Sequence, residues 1–117
     1  MRISELSASL GLELAQPEFK DREISSGYSS DLLSDVMANA KADGVLVTVQ
    51  AHKNTIAVAA LAGLAAVVVC NGRPLPPDMI AAARAELVAV LSTRDAAFEV
   101  SGRLWAALQR GPKGGPR

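Results

Sequence analysis

The chain has 117 residues, half of them hydrophobic and only 3% aromatic, with twelve Lys and Arg balancing twelve Asp and Glu. That length suits one domain of the common ~100–150 residue size and leaves no room for a second core. Zero net charge excludes a field that would draw the protein to nucleic acid or an anionic membrane, and it permits self-association.

Ile3, Leu6 and Leu10 share one face of a short helix that Gly11 ends. A brief strand, Leu12-Glu-Leu14, follows. Ala15 to Arg22, with Pro17 and four charged residues, reads as an exposed connection, after which Glu23-Ile24 is expected to enter the sheet ahead of Gly27. Ser29 or Ser30 caps the next helix, with Asp31 at its positive end, and Leu32, Leu33, Val36, Met37 and Ala40 form the apolar face. The spacing predicts a helix from about Ser30 to Ala42, stopped by Asp43-Gly44.

Val45 to Val49 is apolar without alternation apart from Thr48, as expected of a parallel strand covered on both faces. A helix from Asn54 to about Ala62 has no polar side and must be sandwiched. Gly63 ends it, and Ala65 to Cys70 is a second central strand, which makes the pair a βαβ unit. Asn54 to Gly72 carries no charge. It is nevertheless Ala-rich and broken at Gly63, and a spanning helix needs ~20 predominantly apolar residues, so it reads as helix, turn and strand.

Asn71 to Pro77 is a turn-rich loop, and a proline at the first helical position with Asp78 starts a helix running to about Glu86. Val88 to Leu91 repeats the strand signal. Ser92 and Asp95 have capping-box spacing, and Ala97, Phe98, Leu104, Trp105 and Leu108 are expected on the inner side of a last helix. Gly111 to Arg117 is expected to be a disordered tail, leaving residues 1–110 as the domain. The whole is a single compact α/β domain with a mainly parallel sheet and helices on both faces.

Cys70 is the only cysteine, so an internal disulfide and a multi-cysteine zinc site are excluded and a reducing cytoplasm is the expected compartment. The N-terminal stretch lacks the apolar core of a signal peptide. The phosphate-loop and dinucleotide glycine patterns are missing, as are a basic stripe and an aromatic platform for nucleic acid. No cofactor and no metal are therefore expected, since His52 has no second His or Cys at ligand spacing.

Parallel strands would deliver Gln50-Ala51-His52-Lys53-Asn54, Asn71-Gly72-Arg73 and Ser92-Thr93-Arg94 to one edge of the sheet, beside helix N-termini. Lys53, Arg73 and Arg94 together with backbone N–H groups would hold a small anion there. The alternative is plain capping by Asn54, Ser92 and Thr93 with solvated cations. The candidate ligand residues are thus Gln50, His52, Lys53, Asn54, Asn71, Gly72, Thr93 and Arg94. Gly27, Tyr28, Ser29 and Asp31 form a second candidate cluster, for stacking or for a subunit interface. His52 as a general base, and Cys70 as more than a small buried hydrophobe, need partners that the sequence does not supply.

Gly27-Tyr-Ser-Ser-Asp-Leu-Leu-Ser-Asp-Val-Met37, taken with Val47-Thr-Val-Gln-Ala-His-Lys-Asn54 and Ala57-Val-Ala59, resembles the DRTGG domain family from about Ile3 to Leu108. The chain is most similar to small stand-alone members. The resemblance implies an α/β domain related in fold to the N-terminal domain of HPr kinase/phosphorylase, found beside CBS domains in regulatory or dimer-forming settings. Stand-alone relatives are often encoded near iron-only hydrogenase subunits and kinase-like regulators. Where many members have Gly-Asp-Arg this chain has His52-Lys53-Asn54, and where they have Thr-Gly-Gly it has Cys70-Asn71-Gly72, keeping only the last glycine.

The expected function is a non-catalytic regulatory or protein-interaction domain, a homodimer sensing a small anion such as an adenine nucleotide. Two rivals stand beside it: a small phosphoryl- or acyl-transfer enzyme using His52, and a subunit that partners a regulatory kinase or a redox, hydrogenase-like complex.

Overall fold

The computed structural model describes residues 1–110; the stretch 111–117, expected to be a disordered tail, lies outside the described residues. A 3-10 turn at Ile3–Glu5 runs into α1 (Leu6–Leu10), then β1 (Glu13–Gln16), β2 (Ser26–Ser29), α2 (Leu33–Asn39), β3 (Gly44–Thr48), α3 (Lys53–Leu61), β4 (Ala66–Val69), α4 (Pro77–Glu86), β5 (Ala89–Ser92) and α5 (Ala97–Arg110). The five strands form one sheet in the order β1-β5-β4-β3-β2. All neighbours are parallel except β1, which runs antiparallel to β5.

Strand alternation sends the apolar residues of this sheet to two separate cores. Val45, Val47, Ala66, Val68, Ala89 and Leu91 meet α1 and α5 through Leu6, Leu10, Val100, Leu104 and Ala107. Leu46, Val67, Val69 and Val90 meet α2, α3 and α4 through Val36, Ile56, Ala59, Met79 and Ala83. The architecture is a three-layer α/β/α sandwich, as expected. Among the described residues no helix is long and apolar enough to cross a membrane; α3 is not sandwiched as its lack of a polar side led us to expect, because it lies on one face of the sheet, burying Thr55, Ile56 and Ala59 and leaving Leu61 77% exposed.

Three further local expectations need correcting, each for a physical reason. Glu23-Ile24 does not join the sheet. Ile3 N donates to Arg22 O at 3.0 Å and Ile24 N to Met1 O at 2.8 Å, which holds the N-terminus against this segment by a single antiparallel bridge, Arg2 to Glu23.

The second helix starts at Leu33 rather than Ser30, because the Asp31 carboxylate is drawn away to accept from Thr48 Oγ1 at 2.9 Å and Val49 N at 2.8 Å. Ser30 Oγ then accepts from Leu32 N at 3.2 Å outside the helix.

The last helix buries Val100, Leu104 and Ala107 and turns Phe98 and Trp105 outward, 88% and 67% exposed. Leu104 takes the inner position because it seats against Gly27, where a Cβ would lie 2.7 Å from its Cδ2. Ser92 and Asp95 do not form the cap; Glu99 Oε1 accepts from Ala96 N at 3.0 Å, while Ser92 belongs to β5.

Buried Gln16 fastens the antiparallel strand. Its Nε2 donates to Val88 O and Glu18 O, both at 2.9 Å, and its Oε1 accepts from Glu18 N at 2.8 Å, so the amide is satisfied without water. At the start of β3, Gly44 is required by space: a Cβ there would lie 2.8 Å from Lys41 O and 3.1 Å from Ser26 Oγ. Gly44→Ala is expected to destabilise the fold by about 1–3 kcal/mol through forced backbone displacement, seen as a lower urea midpoint at unchanged slope.

Candidate functional site

The loops leaving the carboxyl ends of β2 to β5 carry the longest polar clusters, and they divide into a stitched half and an open half. On the β2 and β3 side nearly every polar group is spent on structure. Besides the two bonds to the Asp31 carboxylate, Gln50 Nε2 donates to Asp31 O at 3.0 Å, Gln50 N to Thr48 Oγ1 at 3.2 Å, and Thr55 Oγ1 to Gln50 O at 2.8 Å.

His52 is the N-cap of α3, its Nδ1 accepting from Asn54 N at 3.0 Å. With Nδ1 so occupied, the accepting nitrogen of the ring is engaged by the backbone of α3. Asn54 contributes its backbone to this cap. Its side chain and Lys53 border a shallow cleft of about 260 Å³ together with Ala82, Ala85 and Glu86 of α4.

On the β4 and β5 side, Asn71 and Gly72 are consecutive left-handed residues, φ 66° and 63°. Their N–H groups donate across to the next loop, Asn71 N to Asp95 O at 3.0 Å and Gly72 N to Thr93 O at 2.9 Å. Thr93 Oγ1 accepts from Asp95 N at 3.1 Å, and Arg103 Nη2 donates to Asp95 Oδ2 at 2.7 Å. The two loops therefore form one rigid unit. The Arg94 stem lies over Gly72, whose Cβ, if present, would be 3.6 Å from Arg94 Cγ.

Beside this unit opens a cavity of about 730 Å³, lined by Gly72, Arg73, Leu75, Ser92, Thr93 and Arg94 from the two loops and by Gly11, Glu13, Leu14 and Ala15 from the first strand and its approach. The size is within the ~300–1,000 Å³ of ligand sites. Arg73 and Arg94 are exposed, and neither makes an ion pair or a side-chain hydrogen bond among the described residues. Glu13 is the one acidic residue of the lining, and it receives only a long contact from Ser92 Oγ at 3.5 Å. The cavity thus holds a net positive charge above a partly apolar floor. It sits where α4 and α5 depart from adjacent strands to opposite faces of the sheet, the place at which open α/β sheets hold ligands.

Of the sequence-derived ligand residues, the structure brings Gly72, Thr93 and Arg94 to this cavity, with Asn71 setting the turn behind Gly72. Gln50 and His52 are committed to the neighbouring loop, and Lys53 and Asn54 line the separate cleft. Glu13 and Leu14 were not visible as site residues, because they reach the carboxyl edge only through the antiparallel direction of β1, which sets Glu13 opposite Ser92.

No family model and no curated protein matches the chain. A solved structure does share its fold. The CBS and DRTGG domains of the regulatory region of Clostridium perfringens pyrophosphatase, complexed with the activator diadenosine tetraphosphate, align with a TM-score of 0.69 at 12% identity. The alignment covers 87% of this chain and 45% of that one, so the chain spans less than half the length of its structural neighbour. At this identity the likeness is one of fold.

Cys70 closes the interior under these loops. It is buried, and burial, followed by the negative charges of Asp31 and Asp95 and opposed by Arg103, pushes its thiol up to about 11. That is the opposite of an activated thiolate. Among the described residues no group of three or more His, Cys, Asp or Glu is arranged to hold a metal ion.

The second candidate cluster separates by strand alternation. Gly27 and Ser29 border a groove of about 410 Å³ with Leu104, Trp105 and Leu108, and Ser29 Oγ lies 2.6 Å from Ser101 Oγ. Tyr28 faces the opposite core and donates its phenol proton to both Asp35 oxygens at 2.9 Å, while Asn39 Nδ2 donates to Asp35 Oδ1 at 2.8 Å. Asp31 belongs to the β3 loop lattice.

Hydrogen bonds from Ser30, Tyr28 and Asn39 hold the Asp35 carboxyl below its ordinary value, and the bond to Asp35 raises the Tyr28 phenol above 10. Because Tyr28 is the only tyrosine, an ultraviolet titration reads it directly. The tyrosinate band is expected to develop above pH 10 in the folded protein and to move back toward the ordinary value in Asp35→Asn.

Proposed function

We propose that this chain is a non-catalytic regulatory domain of the DRTGG kind, acting as a homodimer and binding a small anion of the adenine-nucleotide class in the cavity between β1 and the loops after β4 and β5. The observation that carries this reading is the convergence of Arg73 and Arg94, both without an ion-pair or side-chain hydrogen-bond partner among the described residues, on one open cavity at the point where helices leave for opposite faces. Guanidinium groups recognise phosphate oxygens through paired N–H donors, and the apolar side chains of Leu14 and Leu75 in the same lining supply a surface for a base. The structural neighbour, whose regulatory region is complexed with diadenosine tetraphosphate, supports the ligand class. A non-catalytic role is supported by His52, whose ring is spent on the cap of α3.

The reading moves the site from the loop after β3 to the loop that keeps the family glycine, Gly72. It is tested by thermal unfolding with AMP, ADP, ATP, diadenosine tetraphosphate and acetyl phosphate. A nucleotide at a hundredfold excess over its Kd is expected to stabilise the wild-type chain by about 2.7 kcal/mol, raising Tm by roughly 10 °C. Arg73→Ala and Arg94→Ala are expected to lose the shift, whereas Lys53→Ala, in the other cleft, keeps it. The absence of a shift with every compound would overturn the ligand, and loss of the shift in Lys53→Ala alone would return the site to the β3 loop.

A further inference from the structure

The sequence contains four aromatic residues, one Trp, one Tyr and two Phe. Two of the four, Phe98 and Trp105, point away from the core on α5, 88% and 67% exposed. They lie seven residues apart, two turns along one stripe of the helix. Between them sits Gly102, around whose missing Cβ there is open space within 4 Å, and beside it exposed Ala106. A shallow depression of about 590 Å³ follows this stripe, with Phe98 and Trp105 as its raised ends. A helix that carries both projecting rings and the gap between them is complementary to itself.

We propose that this face of α5 seats a second copy of the chain, the two helices running antiparallel about a two-fold axis near Ser101 and Gly102. The inference rests on the homodimer part of the reading above and is independent of the ligand. In that arrangement Phe98 of each copy meets Trp105 of the other, and the two Gly102 positions meet at the axis, where small residues let the helices approach.

On the flank of this stripe Arg103 is paired with Asp95 at 2.7 Å and Glu99 Oε1 caps Ala96 N within the same chain, so Arg103 brings no unpaired charge to the contact. The chain is neutral, so two copies meet no net repulsion. Four aromatic rings burying ~150–250 Å² each cover at least about half of the ~1,200 Å² at which specific interfaces begin, and the groove beside β2, which Trp105 also lines, is continuous with the patch. A membrane surface would favour a basic polar face, and the flank here alternates in sign.

Sedimentation velocity over a wide concentration range tests the proposal. The wild-type chain is expected to dimerise, and Phe98→Asp and Trp105→Asp are each expected to weaken the dimer at least ~100-fold, as central aromatic anchors do. Their thermal unfolding at a concentration where all are monomeric should be unchanged, since both side chains lie outside the core. Under mild oxidation Gly102→Cys is expected to give a covalent dimer, while Ala81→Cys on exposed α4 does not; Cys70 is buried and does not compete. A wild-type chain that stays monomeric throughout would overturn both the homodimer and this surface, leaving the ligand reading untouched. A dimer indifferent to both aspartates, without a Gly102→Cys cross-link, would overturn the surface alone.

Discussion

Every residue of β3 and β4 is sealed from water, and so are the first three of β5. A parallel sheet of this kind can exist only if helices cover both of its faces, and the rest of the structure follows from meeting that demand with small aliphatic side chains. α2, α3 and α4 close one face, and α1 and α5 the other. Thr48 is the single hydroxyl inside β3, and it is satisfied at both ends, donating to Asp31 and accepting from Gln50 N. With no room for unpaired polarity in the middle, chemistry is confined to the strand ends and the outer helix surfaces.

The carboxyl end shows how that confinement is used. Around Asp31, Thr48 and Gln50 the loops are closed by their own hydrogen bonds. Around Gly72 and Arg94 the backbone is equally tied, through Asp95 and Thr93, but the guanidiniums are left over. With the Asn71 and Gly72 amides consumed, an anion placed in the cavity would meet cationic side chains rather than a cradle of backbone N–H groups. Attraction of that kind depends on charge more than on the outline of a phosphate and is screened by salt.

Some of this was legible in the residues and some was not. The unbroken apolar runs at Val45 and Ala65 identify covered parallel strands, and Pro77 with Asp78 marks the start of α4 as found. The true start of α2 was not legible because Asp31 is captured by a strand that comes seventeen residues later. α5 carries two interleaved stripes of similar apolarity, and the choice between them is made by Gly27, on an element far away in sequence. The cavity was half legible: the loops after parallel strands announce Gly72, Thr93 and Arg94, but Glu13 arrives only through the reversed direction of β1. Local patterns report local forces, and each of these misses was decided by a long-range contact.

The two edges of the sheet are unlike. β1 has an exposed Glu13, a register irregularity between Leu14 and Gln16, and Pro17 immediately after it, all of which discourage another strand from pairing. β2, reading Ser-Gly-Tyr-Ser, carries no charge, proline or irregularity. Strand addition is therefore open at one side of the sheet only, and with the other edge guarded the chain does not extend into a fibre through both edges.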